Sequence, residues 1–154
     1  MSAQPKPGWQ ILPMHVSHLP RVLEIERRAY PFPWSEDIFR DCLKAGYSGW
    51  VLVDTDGVIT GYALLSMAVD EAHVLNLCID PSGQRQGLGR MLLLHVIELA
   101  RAANATIVLL EVRKTNKVAQ QLYESQGFQR LGRRQGDYPA HEGREDALVL
   151  GFDI

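Results

Sequence analysis

The stretch QRQGLGR, residues 84–90, joins two segments with different hydrophobic patterns. The preceding run AHVLNLCID (72–80) is almost continuously apolar, as in a buried strand, and the following segment, 88–105, repeats apolar residues at helical spacing. Gly87 and Gly89 therefore stand where a strand gives way to a helix. Because glycines leave the first backbone amides of a helix open to a ligand, and the helix dipole favours negative charge there, the stretch suits a phosphate or pyrophosphate.

A second interpretation of the same stretch stays open at this level. Arg85 and Arg90 would add charge-assisted contacts to a phosphate, yet a glycine-rich turn that merely connects a strand to a helix has the same spacing. The common nucleotide motifs are absent. A dinucleotide fingerprint needs a third glycine where Leu92 stands, and a P-loop needs Gly-Lys-Ser/Thr.

The segments on either side predict an α+β fold. Hydrophobic periodicity predicts strands at 9–16, 49–54, 58–69, 72–80, 106–112, 128–134 and 146–154, and helices at 17–30, 35–46, 88–105 and 116–127. The TDG turn at 55–57 is the strongest hairpin signal. We expect a mixed sheet of about seven strands flanked by about four helices, in a strand order that periodicity does not reveal.

Composition and charge indicate a single domain over residues 1–154. The chain is 46% hydrophobic and 22% charged, which is near the average for a globular domain. With a formal net charge of -2 it lacks the broad basic surface of a nucleic-acid binder. We find neither a signal-peptide pattern nor an apolar run long enough to span a bilayer, so we predict a cytoplasmic protein without membrane contact.

The cysteines and histidines give no metal-binding or disulfide pattern. Cys42 and Cys78 lie far apart and have no partner motif. We predict no metal, since ligand spacing is missing among His15, His18, His73, His95 and His141.

Several motifs together resemble the GCN5-related N-acetyltransferases (GNAT), whose shared signature is Gln/Arg-x-x-Gly-x-Gly/Ala. The resemblance is closer still to one branch, the RimI-type alpha-amino acetyltransferases of bacterial ribosomal proteins. The points of likeness extend over nearly the whole chain: FPWSE (32–36), DEA (70–72), QRQGLGR (84–90), LEVR (110–113), LYES with GF (122–128) and GREDA (143–147).

The resemblance implies a mostly antiparallel sheet with splayed central parallel strands, and acetyl-CoA as the co-substrate. It implies that the pyrophosphate of acetyl-CoA is held by Arg85, Gln86, Gly87, Leu88, Gly89 and Arg90. Backbone groups of Leu77, Cys78 and Ile79 would line the pantetheine and the acetyl thioester. Asn116 matches a family residue that contacts the cofactor, although its type and position equally suit a helix N-cap, and both roles are compatible.

Glu111 is the best candidate for a general base. An alpha-amino group with a pKa near ~8 is mostly protonated at pH 7, so a group must accept its proton. Glu111 follows the apolar run TIVLL, where desolvation would raise the pKa of a carboxyl group. The alternative is an exposed glutamate paired with Arg113; the resemblance favours the base, because family members use the residue at this position.

Tyr123 is the candidate general acid, since the resemblance places it where the family protonates the departing CoA thiolate. It shares a face of the predicted helix with Asn116 and Ala119. A buried aromatic residue packed on the sheet is the alternative. Cys78, inside an apolar strand, is expected to be an inert core thiol and not an acyl carrier.

The acceptor is expected to bind between YPFPWSED (30–37) and RRQGDYPAHEGRED (133–146), as loops on a rigid scaffold often carry specificity. We expect Phe32, Trp34 and Tyr138 to contact it, although Phe32 and Trp34 would equally serve as hydrophobic plugs. The branch acetylates the N-terminal residue, typically alanine, of the small-subunit ribosomal protein numbered eighteen. Here QGDYP departs from the two adjacent tyrosines often found in the branch.

The sequence therefore predicts an acetyl-CoA-dependent N-alpha-acetyltransferase acting on a protein N-terminus, by direct attack of the amine on the thioester. Two alternatives remain: a relative that acetylates a small-molecule amine or a lysine side chain, and a non-catalytic domain that binds CoA as a sensor.

Overall fold

The computed structural model describes residues 6–83, 87–140 and 143–154, and it confirms the predicted fold class. In this part of the chain seven strands and four α-helices follow one another. In chain order they are β1 (Gln10–Pro13), α1 (Leu19–Ala29), α2 (Glu36–Lys44), β2 (Ser48–Val53), β3 (Ile59–Met67), β4 (Glu71–Ile79), α3 (Leu88–Ala102), β5 (Ile107–Arg113), α4 (Lys117–Ser125), β6 (Gln129–Pro139) and β7 (Arg144–Asp153).

The strands form one sheet in the order β1-β2-β3-β4-β5-β7-β6. Neighbours are antiparallel except β4 and β5, which run parallel and are connected through α3. A parallel pair needs such a crossover, because its second strand must start again at the same end of the sheet. The periodicity did not reveal this order, since pairing joins segments that are distant in the chain.

The parallel strands β4 and β5 separate halfway along their length. Their register runs from Glu71 opposite Ile107 to Val74 opposite Leu110. Beyond that point β4 continues beside β3 and β5 continues beside β7. A bulge accompanies the separation: Leu65 pairs with Val74 but its neighbour Leu64 pairs with Asn76, which skips one residue of β4.

The helices cover both faces of the sheet, so the sheet lies between two cores. On one face α1 and α2 bury residues such as Leu23 and Phe39 against β3. On the other face α3 and α4 pack around Leu92 and Tyr123. Among the described helices, none is long and apolar enough to cross a membrane.

The predicted elements differ from the structure mainly in the last hairpin. Strand β6 extends to Pro139 and β7 begins at Arg144, so much of the segment predicted to be a loop (133–146) is paired strand. Tyr138 lies opposite Glu145 in this pairing. The segment is polar and lacks alternation, and therefore only the partner strand reveals it as β-structure.

Candidate active site

A cavity of about 280 Å³ lies where β4 and β5 separate. The gap opens the sheet, and side chains from both of its faces reach the same space. Helix α1 contributes Glu26 and Tyr30 from one side, and α4 contributes Tyr123 from the other. The strands themselves contribute Val74–Leu77 and Leu110–Arg113. The separation of the two strands thus brings polar groups from α1, α4 and β5 to one cavity.

Glu111 lies on β5 at the first position after the last β4–β5 pair. Its side chain is half-buried and borders both this cavity and an adjoining one of about 340 Å³. On the other side of β5 it is opposite Val149 of β7. Arg113, which the alternative interpretation pairs with Glu111, forms an ion pair with Glu145 at 3.3 Å.

Tyr123 lies on α4, is 7% exposed and borders the cavity. Its ring also packs against Phe128, with the ring centroids 5.7 Å apart. Burial, and secondarily the proximity of Cys78 and Tyr138, raises the pKa of Tyr123 well above its ordinary value. The residue is therefore a packed core aromatic whose hydroxyl stays protonated next to the cavity.

Leu77, Cys78 and Ile79 form the end of β4, beyond its pairing with β5. Leu77 borders the cavity, and its carbonyl oxygen accepts a hydrogen bond of 3.4 Å from the Tyr30 hydroxyl. Cys78 is 5% exposed, and burial raises its pKa to about 11. A thiol with that pKa is almost entirely protonated at neutral pH, which supports its interpretation as an inert core residue.

The glycine-rich stretch begins α3 as predicted. Gly87 is the N-cap residue, with a left-handed φ of 75°, and a Cβ added there would meet nothing within 4 Å. The first helical hydrogen bond runs from the Met91 amide to the Gly87 carbonyl, so the amides of Leu88, Gly89 and Arg90 precede it. Arg85 and Gln86 of the predicted cradle lie outside the described residues.

Asn116 is the N-cap residue of α4. Its side-chain oxygen accepts a hydrogen bond of 3.2 Å from the Ala119 amide. This cap engages the carbonyl oxygen of the side-chain amide, whose nitrogen is a separate donor. The capping role is therefore observed, and it is compatible with a cofactor contact.

Two of the three predicted acceptor residues, Phe32 and Tyr138, lie beside Arg113. Its guanidinium carbon lies 5.5 Å from the centroid of the Phe32 ring and 4.6 Å from that of Tyr138. Arg113 also donates a 2.7 Å hydrogen bond to the Pro139 carbonyl. Trp34 borders both cavities and packs against Phe39 at 5.3 Å. Trp34 thus acts as a hydrophobic plug and as a cavity wall at once.

Three polar residues at this cavity were not among the predicted site residues: Glu26, Tyr30 and Asn76. A signal existed for Glu26, since it lies on the buried stripe of α1 between Val22 and the end of the helix. A signal existed for Asn76 too, because it interrupts the apolar run VLNLCI. A polar residue in an apolar pattern requires a partner when it is buried.

The chain is similar to proteins of one family in both sequence and fold. The family model described as "Acetyltransferase (GNAT) family" matches residues 19–128. The [ribosomal protein bS18]-alanine N-acetyltransferase of Escherichia coli (strain K12) is 38% identical over 141 residues, which are 92% of this chain and 95% of that protein.

Solved structures agree as well. The crystal structure of the ribosomal-protein-S18-alanine N-acetyltransferase from Escherichia coli aligns with a TM-score of 0.88 over 95% of this chain and 94% of that chain, at 38% identity. Arabidopsis thaliana NAA60 in complex with acetyl-CoA shares the fold, with a TM-score of 0.83 at 18% identity, over 95% of this chain and 98% of that one. With a family model over most of its length and a relative of 38% identity over 92% of it, the chain belongs to the GNAT family of acetyltransferases.

Proposed function

We propose that this chain is a single-domain, acetyl-CoA-dependent N-alpha-acetyltransferase that modifies the N-terminal alanine of ribosomal protein bS18. One observation carries the proposal: Glu111 and Tyr123 approach one cavity from different elements, where β4 and β5 separate. A carboxylate and a protonated phenol at one cavity supply the base and the acid that amide formation from an amine and a thioester needs. The 38% identical relatives are named for this reaction.

The donor end of the site suits acetyl-CoA, which supplies the activated acetyl thioester. The start of α3 offers backbone amides to a pyrophosphate at Gly87–Arg90, with Arg85 and Gln86 as further contacts, and the open space at Gly87 permits close approach. The separated end of β4, Leu77–Ile79, offers backbone groups along which a pantetheine arm would lie. Asn116 would contact the same arm from the start of α4.

The chain's own groups then divide the proton transfers. Glu111 accepts the proton of the acceptor amine, which is mostly protonated at neutral pH. The amine attacks the thioester directly, and the Tyr123 hydroxyl donates to the departing thiolate. Cys78 takes no acetyl group, because burial raises its pKa to about 11 and leaves it without thiolate character.

The acceptor enters beside Phe32, Trp34 and Tyr138. The Arg113 guanidinium lies over the rings of both Phe32 and Tyr138, so the α1–α2 connection and the β6–β7 hairpin form the entrance jointly. This hairpin contains the QGDYP segment, in which the chain departs from its branch. We expect the breadth of peptide specificity to depend on it.

The test is mass spectrometry of amines incubated with acetyl-CoA and the protein. The panel contains a peptide with the N-terminal sequence of bS18, the same peptide with a blocked N-terminus, a lysine peptide and several small amines. We expect acetylation of the free alanine N-terminus alone. Acetylation only of lysine or of small amines would replace the proposal with the first alternative, and acetyl-CoA binding without any transfer would replace it with the sensor.

A further inference from the structure

We propose that Glu26 is a positioning residue for the acceptor. It holds the backbone at Trp34, called the acceptor wall below, at a fixed distance from the separated part of β4. The inference rests on the proposed function for the identity of the acceptor. Glu26 is 1% exposed, yet it borders the cavity that also contains Glu111 and Tyr123. A buried carboxylate is costly, so its partners indicate what it contributes.

Glu26 accepts hydrogen bonds from three separate parts of the fold. One carboxylate oxygen accepts from the Tyr62 hydroxyl of β3 at 2.5 Å and from the Asn76 side-chain amide of β4 at 2.9 Å. The other accepts from the backbone amide of Trp34, between α1 and α2, at 2.9 Å. A single side chain thus joins two strands to the connection that carries the acceptor wall.

All three of these donors are neutral. Within the described ranges, no Lys, Arg or His nitrogen lies within 4.0 Å of the Glu26 carboxylate. Burial, and after it the neighbouring Cys78 and Glu26, raises the pKa of Tyr62, so its phenol remains a donor at neutral pH. Hydrogen bonds to a buried charge are stronger than neutral ones and fix the geometry of their donors.

The position of the bulge explains why β4 needs this link. Beyond the bulge, Asn76 lies on the α1 side of the sheet and has lost β5 as a neighbour. Trp34 stands in a connection outside regular structure. Glu26 ties these two segments to the rigid helix α1, which sets the distance between the acceptor wall and the donor strand. Because this end of β4 stays paired with β3, a looser wall would weaken acceptor binding and leave acetyl-CoA binding intact.

The first experiment compares Glu26→Gln with Glu24→Gln by steady-state kinetics. Glu24 is on the same helix with a side chain that is 64% exposed, and it serves as the matched control. For Glu26→Gln we expect KM for the acceptor to rise about tenfold, because a neutral amide weakens all three hydrogen bonds and has one acceptor oxygen in place of two, with KM for acetyl-CoA unchanged. A purely structural role predicts a lowered melting temperature with both KM values shifted together, and that result would overturn the proposal.

A second variant covers the case in which Glu26→Gln does not fold. Tyr62→Phe removes one donor to Glu26 from a residue outside the cavity lining. We expect the same selective rise in acceptor KM, about threefold, because two of the three hydrogen bonds remain. An unchanged acceptor KM in this variant contradicts the positioning role.

The third measurement does not depend on the identity of the acceptor. Hydrogen exchange on the free protein follows the Trp34 amide, which we expect to exchange about tenfold faster in Glu26→Gln or Tyr62→Phe than in Glu24→Gln. If the wild type acetylates a different amine, the proposed function fails, and the KM values are measured with that amine. If it acetylates none, equal exchange rates in all variants reject the positioning role.

Discussion

Val74 of β4 and Leu110 of β5 form the last cross-strand pair before the two parallel strands separate. The next residue of β5 is Glu111, and the bulge of β4 begins after Val74. A continuous sheet would keep the groups of its two faces apart. Because this pair ends the ladder inside the sheet, α1 and α4 on opposite faces border one cavity.

Replacing Glu111 with Gln tests the proton acceptor. We expect kcat to fall about 100-fold at pH 7, because the amine is then mostly protonated and loses its base. The difference in kcat between Glu111→Gln and the wild type should become smaller towards pH 9.5, where the amine is neutral without a base. Rates measured across this range, with the exposed Glu124→Gln as the control, check the prediction. A deficit that is constant with pH would contradict the assignment.

Replacing Tyr123 with Phe tests the proton donor while the packing against Phe128 is retained. We expect kcat to fall about 30-fold, with KM for acetyl-CoA little changed. Burial raises the pKa of Tyr123 above its ordinary value, and the phenol is active when protonated. The phenol therefore remains a proton donor at every pH below that raised pKa. We expect no decline of kcat between pH 7 and pH 10 that titration of Tyr123 causes.

The pH profile of kcat measures this, with Tyr47→Phe, an exposed tyrosine, as the control variant. A loss of activity centred below pH 10 that disappears in Tyr123→Phe would show that Tyr123 titrates in the ordinary range.

Replacing Gly87 with Ala tests the pyrophosphate cradle. Gly87 has a φ of +75° with open space around it, so the change costs about 1 kcal/mol of backbone strain without a steric clash. Gly57 in the β2–β3 turn has a φ of +83° and equally open surroundings, which makes Gly57→Ala a matched control.

We expect both alanine variants to lose similar stability in urea unfolding, whereas only Gly87→Ala raises KM for acetyl-CoA, by about tenfold. If the two variants had equal KM values for acetyl-CoA, the start of α3 would have no role in cofactor binding.

Replacing Cys78 with Ala tests direct transfer. We expect kcat to stay within about twofold of wild type, because a buried thiol with a pKa of about 11 is a poor nucleophile at neutral pH. Mass spectrometry of the enzyme incubated with acetyl-CoA alone should show no covalently acetylated Cys78. An acetyl-enzyme that accumulates and then transfers to the peptide would establish a two-step route.

Replacing Asp80 with Asn tests the link between α1 and the segment before α3. Asp80 is 1% exposed and lies 2.8 Å from Arg21 and 2.6 Å from Arg28. We expect a loss of about 2 kcal/mol in the free energy of unfolding, because a buried ion-pair acceptor disappears while the arginines remain partly solvated.

The exposed pair of Glu36 and Arg40 provides the comparison, and Glu36→Gln should cost less than about 0.5 kcal/mol. Urea denaturation of both variants measures the difference. Similar losses in the free energy of unfolding would show that burial does not strengthen the contribution of Asp80.

Much of the fold was predictable because its signals are local. The apolar stripe of α1 and the TDG turn each depend on a few adjacent residues, and the structure contains a helix at Leu19–Ala29 and adjacent strands joined at 55–57. Gly87 at the start of α3 belongs to the same class of signal. The polar part of the β6–β7 hairpin was missed, since its strand conformation depends on a partner and not on its own pattern.

The candidate site was predictable only where a motif or a resemblance pointed to it. Glu111 and Tyr123 came from the resemblance, and the structure brings both to one cavity. Asn76 shows what strand alternation misses: by alternation it would share the face of Val74, but the bulge turns it towards Glu26. A one-residue irregularity in pairing left no mark in the sequence of β4.

The amino-acid order alone specified most of the helices and strands and where α3 begins, because hydrophobic period and glycine conformation act over a few residues. The strand order, the separation after Val74 and Leu110, and the contact of Glu26 with Asn76 depended on the folded chain. These features arise from pairing between residues that are distant in sequence, and pairing energies depend on the neighbours that folding brings together. From its own residues QRQGLGR left a phosphate site and a plain strand–helix turn both open, and the chemistry beside it required the whole sheet.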